Sequence, residues 1–268
     1  MNYRLTLQYD GTEFNGWQIQ ESGRTVQGEL TRALSLLDGG EVVVHGSGRT
    51  DAGVHAEGQV ATVRLRREFE PERLRAAVNG NVARDLRVVD VAAVPDDFHA
   101  RKSARGKTYC YRIYNERVMS PFWARYALHE ARSIDLVAMR EAAKLFVGEH
   151  DWTAFSSAQA EVKTRVRNIT DLEICERPCL LARGRLIEIR VSADGFLRYM
   201  VRSIAGTLLA AGRNEMDSQT IRRAIETGDR ALAAATAPAH GLTLVEVQYE
   251  QSAGSDRTAN DSERVVAS

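Results

Sequence analysis

Gly48-Arg49-Thr50-Asp51-Ala52-Gly53-Val54-His55 puts a carboxylate, a guanidinium, a hydroxyl and an imidazole on one short stretch with glycines near both ends. Those glycines let the chain turn sharply, which would present Asp51 and Arg49 at the open edge of a sheet. Gly, Asp and Thr are also ordinary turn residues, so the same letters suit a plain connecting loop. More specific chemistries fail on spacing. Asp51 stands where a dinucleotide-binding loop needs its third glycine, and no Gly-Lys-Ser/Thr follows to cradle a phosphate. His45, Asp51 and His55 match no familiar metal-ligand spacing and no further ligands cluster beside them, so no metal is expected. Ser47 with His45 and Asp51 lacks the nucleophile elbow of a hydrolytic triad. His45 and His55 are therefore expected to be structural.

Two further clusters carry chemistry. Between His99 and Arg125 stand Arg101, Lys102, Arg105, Lys107, Arg112, Arg117 and Arg125 against a single carboxylate, Glu116, interleaved with Tyr109, Tyr111, Tyr114, Phe122 and Trp123. Cations engage phosphates and rings stack on unpaired bases, so the mixture suits RNA; a solvated strand edge backed by core tyrosines would look the same. In Asp194 to Leu209, Arg198 and Arg202 fall four apart on one helical face, with Phe196, Met200, Ile204 and Leu208 able to face a core. Arg202 sits among apolar residues and is expected to meet a carboxylate, unless it is a surface arginine with a buried stem.

The elements that must position these residues follow from periodicity. The 268 residues carry 36 Lys plus Arg and 36 Asp plus Glu, with 44% hydrophobic content, as in an ordinary globular protein. Zero net charge excludes a globally basic protein but not a local polyanion-binding patch. Cys110, Cys175 and Cys179 lack Cys-x-x-Cys spacing and read as reduced thiols of a cytoplasmic protein. The start, MNYRLTLQYDG, alternates instead of forming a signal-peptide block, and no apolar run approaches the roughly 20 residues of a membrane span.

Tyr3, Leu5, Leu7 and Tyr9 predict a strand, and Val26 to Leu37 a helix capped by Thr25. Strands near 42–44, 59–65 and 86–94 and a helix opening at Pro71 complete a β-α-β-β-α-β order. The order restarts at Lys107: a helix capped by Ser133 through Phe146, strands near 166–175 and 186–191, helices near 197–211 and 218–226, and a last strand at 242–249. Two copies of this split βαβ (ferredoxin-like) pattern predict an α+β protein of two similar halves, 1–105 and 106–250, whose sheets join edge to edge around a central cleft. Residues 251–268, rich in Ser, Asp and Ala, are expected to form a mobile tail.

Six stretches, taken in order, carry a family resemblance: YDGTEFNGWQIQ (9–20), GRTDAGVHAEGQVA (48–61), FHARKSARGKTYCYRIYN (98–115), GEHDWTAFSS (148–157), GFLRYMVRSIAGTLL (195–209) and APAHGLTLVEVQY (237–249). They closely resemble the successive motifs of the tRNA pseudouridine synthase A family and span nearly the whole chain. The resemblance implies the pseudouridine synthase fold, with an RNA-binding cleft between the halves. It implies isomerisation of uridine to pseudouridine at positions 38, 39 and 40 of the tRNA anticodon stem-loop, by a homodimer with no metal or organic cofactor. By motif, Asp51 becomes the catalytic aspartate, Arg49 a residue that displaces the target base, Tyr109 a contact of the flipped uracil, and Arg202 the partner of Asp51. Arg101, Lys102, Arg105 and Lys107 become candidate RNA-binding cations. Tyr199 departs from a histidine common in the family, and Glu57 from an apolar residue; neither coincides with those positions.

Overall fold

The computed structural model describes residues 1–159, 162–179 and 183–250; the tail expected to be mobile, from Gln251, lies outside them. The first half runs β1 (Asn2–Tyr9), α1 (Val26–Asp38), β2 (Val44–Gly46), β3 (His55–Arg64), α2 (Pro71–Asn81) and β4 (Leu86–Val94). Tyr3, Leu5, Leu7 and Tyr9 of β1 share one core with Val26, Leu30 and Leu34 of α1 and Leu74 and Val78 of α2. Thr25 caps α1 by accepting the Gly28 amide, and Gly39, at φ +73, ends it in the left-handed conformation that glycine adopts without steric cost.

The second half runs β5 (Ala104–Asn115), β6 (Leu128–Glu130), α3 (Leu136–Ala143), β7 (Gly148–Asp151), β8 (Val166–Pro178), β9 (Arg185–Ala193), α4 (Met200–Gly212), α5 (Ser218–Thr227) and β10 (Leu242–Tyr249). Helix α4 is buried along almost its whole length. Its Gly206 lies so close to the chain at Ala235 that a Cβ there would sit 2.1 Å from that carbonyl oxygen.

All ten strands belong to one sheet, in the order β4-β1-β3-β10-β5-β9-β8-β7, with β2 on β3 and β6 on β5. Leaving aside the short β6 and β7, each half contributes the same local order, its last strand beside its first, then its third, then its second: β4-β1-β3-β2 and β10-β5-β9-β8. Neighbours within both sets are antiparallel. The halves join where β10 pairs in parallel with β3, Thr243 opposite His55 and Leu244 opposite Ala56. β1 lines one edge of β3 along its length, so β2 and β10 share the other edge. β2 is only three residues long and takes Ala61 to Val63, leaving the start of β3 free to receive β10.

Several boundaries differ from those the sequence predicts. β2 lies two residues later than expected, and β3 starts at His55 rather than Gln59, because β10 covers the first residues and His55 and Ala56 are both buried. Asp135, not Ser133, caps α3, accepting the Val137 and Ala138 amides, and the helix stops at Ala143, ahead of a separate 3₁₀ turn holding Phe146. α4 starts at Met200, three residues after the predicted start. No helix among the described residues is long and apolar enough to cross a membrane.

Candidate active site

The loop between β2 and β3 is fixed at nearly every peptide. The Ser47 amide donates to Val60 O at 2.8 Å, and its hydroxyl donates to Gln59 Oε1 at 2.7 Å. The fully buried Gln59 returns a bond from Nε2 to Gly48 O at 3.0 Å. Thr50 is held twice, its carbonyl accepting the Trp17 amide at 3.0 Å and its hydroxyl meeting the Tyr9 hydroxyl at 2.8 Å. The Val54 amide then closes back on Asp51 O at 3.1 Å across Gly53, whose φ of +77 lets the chain reverse. Thr50 and Val54 are buried while the Asp51 side chain keeps 26% exposure, so the loop anchors its flanks and turns the carboxylate outward.

Arg202, in the first turn of α4 and from the other half, meets that carboxylate. Its Nη1 donates to Asp51 Oδ2 at 3.1 Å and its Nε to Ala237 O at 2.8 Å. The Ala237 amide in turn donates to Arg202 O at 3.1 Å, so the guanidinium is aimed by the chain around it. The other carboxylate oxygen, Oδ1, lies 3.7 Å from Nε of Arg198, a more exposed residue. Both guanidiniums rest on the ring of Tyr199, at 5.0 Å for Arg202 and 4.8 Å for Arg198. Tyr199 holds φ +68, a left-handed conformation costing a non-glycine residue about 1–2 kcal/mol. Such strain persists where surrounding contacts overrule it.

Tyr109 on β5 is 8% exposed and packs edge-on against Phe196, ring centroids 5.1 Å apart. Burial, with the neighbouring Tyr9 and the negative Asp51, pushes its phenol above the ordinary range, so it stays protonated at neutral pH. The site thus sets an ionisable carboxylate, paired with a guanidinium, near a buried ring.

The remaining candidates fall into two groups. Arg49 is exposed on the same loop but turns from Asp51 to Gln18 Oε1, 3.2 Å from its Nε. Arg101, Lys102 and Arg105 are exposed, Arg105 touching Glu250 at 2.5 Å. Lys107 departs from the expectation of a phosphate-facing cation: its Nζ turns inward and donates to Ser47 O at 2.7 Å. Burial first, and the Arg101 charge second, lower its pKa to about 8. His45 packs on the His99 ring, and His55 is bonded through both ring nitrogens. The sequence offers the Arg198–Arg202 spacing but no sign that the ring of Tyr199 contacts both guanidiniums.

Two ferredoxin-like halves merged into one sheet, with an aspartate loop from the first facing an arginine of the second, constitute the pseudouridine synthase fold. A family model described as tRNA pseudouridine synthase matches residues 6–101 and 142–250. The chain is 41% identical to tRNA pseudouridine synthase A of Bacillus sp. (strain KSM-64) over 249 residues, covering 92% of this chain and 99% of that one. It is 40% identical to tRNA pseudouridine synthase A 2 of Clostridium perfringens, with the same coverage, and 41% identical to tRNA pseudouridine synthase A of Agrobacterium fabrum, covering 92% of both chains. The chain belongs to the tRNA pseudouridine synthase family, a family of isomerases.

Proposed function

We propose that this protein converts uridine to pseudouridine in the anticodon stem-loop of tRNA, at positions 38, 39 and 40, with Asp51 as the catalytic residue. The observation that carries this reading is the Asp51–Arg202 contact between the two halves, placed beside the buried ring of Tyr109. The reaction breaks the bond from N1 of uracil to C1′ of ribose, turns the base, joins C1′ to C5, releases the C5 proton and places a proton on N1, so that substrate and product are isomers. Nothing is oxidised or reduced and no group leaves, so the balance calls on no cofactor. A stacked base cannot undergo this rotation, so the nucleotide must be flipped out of the stem.

In that scheme Asp51 must be ionised, whether it attacks C6 of the base or C1′ of the sugar. The Arg202 guanidinium donates to Oδ2 and so orients the carboxylate. Tyr109 offers a ring against the freed uracil. Arg49 is exposed on the same anchored loop, and its side chain, held in this structure by Gln18, would occupy the gap left by the displaced base. Arg101, Lys102 and Arg105 present cations to the phosphate backbone, giving salt-dependent affinity. The resemblance supports a homodimer, and a tRNA-modifying enzyme without a membrane-spanning helix fits the cytoplasm.

Purified protein incubated with an unmodified tRNA transcript tests the assignment, pseudouridine being read by nuclease digestion and mass spectrometry. The wild type is expected to form pseudouridine, and Asp51→Ala to form none while retaining tRNA affinity. Near-wild-type turnover by Asp51→Ala would overturn the role of Asp51, and no pseudouridine from the wild type would overturn the activity.

A further inference from the structure

Lys107 is a half-buried cation, its ammonium turned to a backbone carbonyl, without a place in the chemistry above. It stands on β5 two residues before Tyr109, so both side chains leave the same face of the strand. Its only hydrogen-bond partner among the described residues is the carbonyl of Ser47, at the root of the Asp51 loop. The rest of that root is tied within the first half, the Ser47 amide to Val60, its hydroxyl to Gln59 and the Gly48 carbonyl to Gln59. Lys107 therefore supplies the bond that ties the root to the second half. The fit is close: a Cβ on Gly48 would sit 2.7 Å from Nζ, so the ammonium packs directly over the Gly48 peptide.

The energetics favour a positional role. Withdrawing an ammonium from water costs more than one carbonyl returns, and burial depresses its pKa to about 8. A methionine of similar length would fill the space without that penalty, so stability alone does not account for the lysine. What the charge adds is a short, directional bond from the strand bearing Tyr109 to the loop bearing Asp51.

Resting on the reading of Asp51 and Tyr109 as reactive and base-contacting groups, we infer that Lys107 is a positioning residue: through the Ser47 carbonyl it fixes the Asp51 loop relative to Tyr109, and it is not a contact for RNA phosphate. Lys107→Met removes the donor at similar length, and Lys107→Arg keeps a charged donor. Four readouts separate the possibilities: single-turnover rate at saturating tRNA, tRNA Kd across a salt series, hydrogen exchange of the amides at 47–51, and melting temperature.

For Lys107→Met the expected result is a rate loss of at least about ten-fold, because misplacement of reacting groups is costly even when binding is intact. Exchange at 47–51 should speed up, with Kd and its salt slope unchanged, and Lys107→Arg should recover part of the rate. A weaker Kd with a shallower salt slope and an unchanged saturating rate would make Lys107 a phosphate contact and overturn the proposal. Wild-type exchange and rate in Lys107→Met would overturn it equally, as would rate losses that track a lowered melting temperature in both variants. Were the wild type to form no pseudouridine, the exchange comparison would still decide whether Lys107 holds the loop.

Discussion

At the scale of single residues, the site depends on which guanidinium faces Asp51 with the better geometry. Arg202 is 16% exposed, lies 3.1 Å from Oδ2 and has its Nε held by Ala237 O. Arg198 is 52% exposed, lies 3.7 Å from Oδ1 and shares its guanidinium with the Tyr199 hydroxyl. A half-exposed pair is screened and contributes little, whereas a buried planar donor bonded on two sides holds its direction without reorganisation. Arg202→Lys keeps the charge but cannot serve Asp51 and the Ala237 carbonyl in the same fork geometry. It is expected to lower kcat by about 10²-fold, the scale seen when one preorganised donor is lost, while Arg198→Gln stays within about ten-fold. Single-turnover assays of the two variants check the ranking, and equal losses would place both arginines on the same footing.

At the scale of elements, the Asp51 loop holds its shape through a side chain outside it. Gln59 on β3 accepts from the Ser47 hydroxyl and the Val60 amide and donates to the Gly48 carbonyl. Gln59→Leu keeps the volume and leaves the Ser47 hydroxyl and Gly48 carbonyl unpaired at about 1–3 kcal/mol each, so a destabilisation of about 2–6 kcal/mol is expected in urea unfolding. Loss of activity without loss of stability would mean that the loop finds other partners. None of this is legible in the sequence, where Gln59 reads as one polar residue of a strand. The apolar-rich runs do give β4 and β10 their ends, Leu86–Val94 and Leu242–Tyr249, but not the register irregularities inside both strands, which break the strict alternation. Alternation misses β6 and β7, at three and four residues too short to show a period. Asp51, Arg49, Tyr109 and Arg202 stand out in the sequence because they lie in recognisable motifs. Sequence groups Lys107 with the candidate RNA-binding cations Arg101, Lys102 and Arg105, because a run of charge does not say which member meets a backbone carbonyl.

At the scale of the whole molecule, two halves of similar design must keep Asp51 and Arg202 in contact although their sheets pair over only two residues on each side. His55 reinforces that joint from the first residue of β3. Its Nδ1 accepts the Gly11 amide at 3.0 Å, which leaves Nε2 to carry the proton and donate to Arg125 O at 2.8 Å and His240 O at 3.1 Å. One neutral imidazole thus links the first half to two separate segments of the second. Burial lowers its pKa and prevails, although the Asp10 carboxylate, 3.2 Å from Nδ1, pulls the other way. The other groups facing it are Arg125 and Tyr126, both engaged with Asp10, and His240, whose own pKa burial also lowers. With the folded pKa below the usual 6.5, the unfolded chain takes up the His55 proton first as the solution is acidified. Stability is therefore expected to be indifferent to this group above pH 6.5 and to fall with pH from there down through the folded pKa. His55→Leu removes the titration together with three hydrogen bonds. It should be less stable than wild type at pH 8, lose less on going from pH 8 to pH 5, and turn over more slowly as the halves loosen. Because His240 titrates in both proteins, the difference between their urea midpoints at the two pH values isolates His55, and identical differences would remove it as the acid-sensitive pin of the joint.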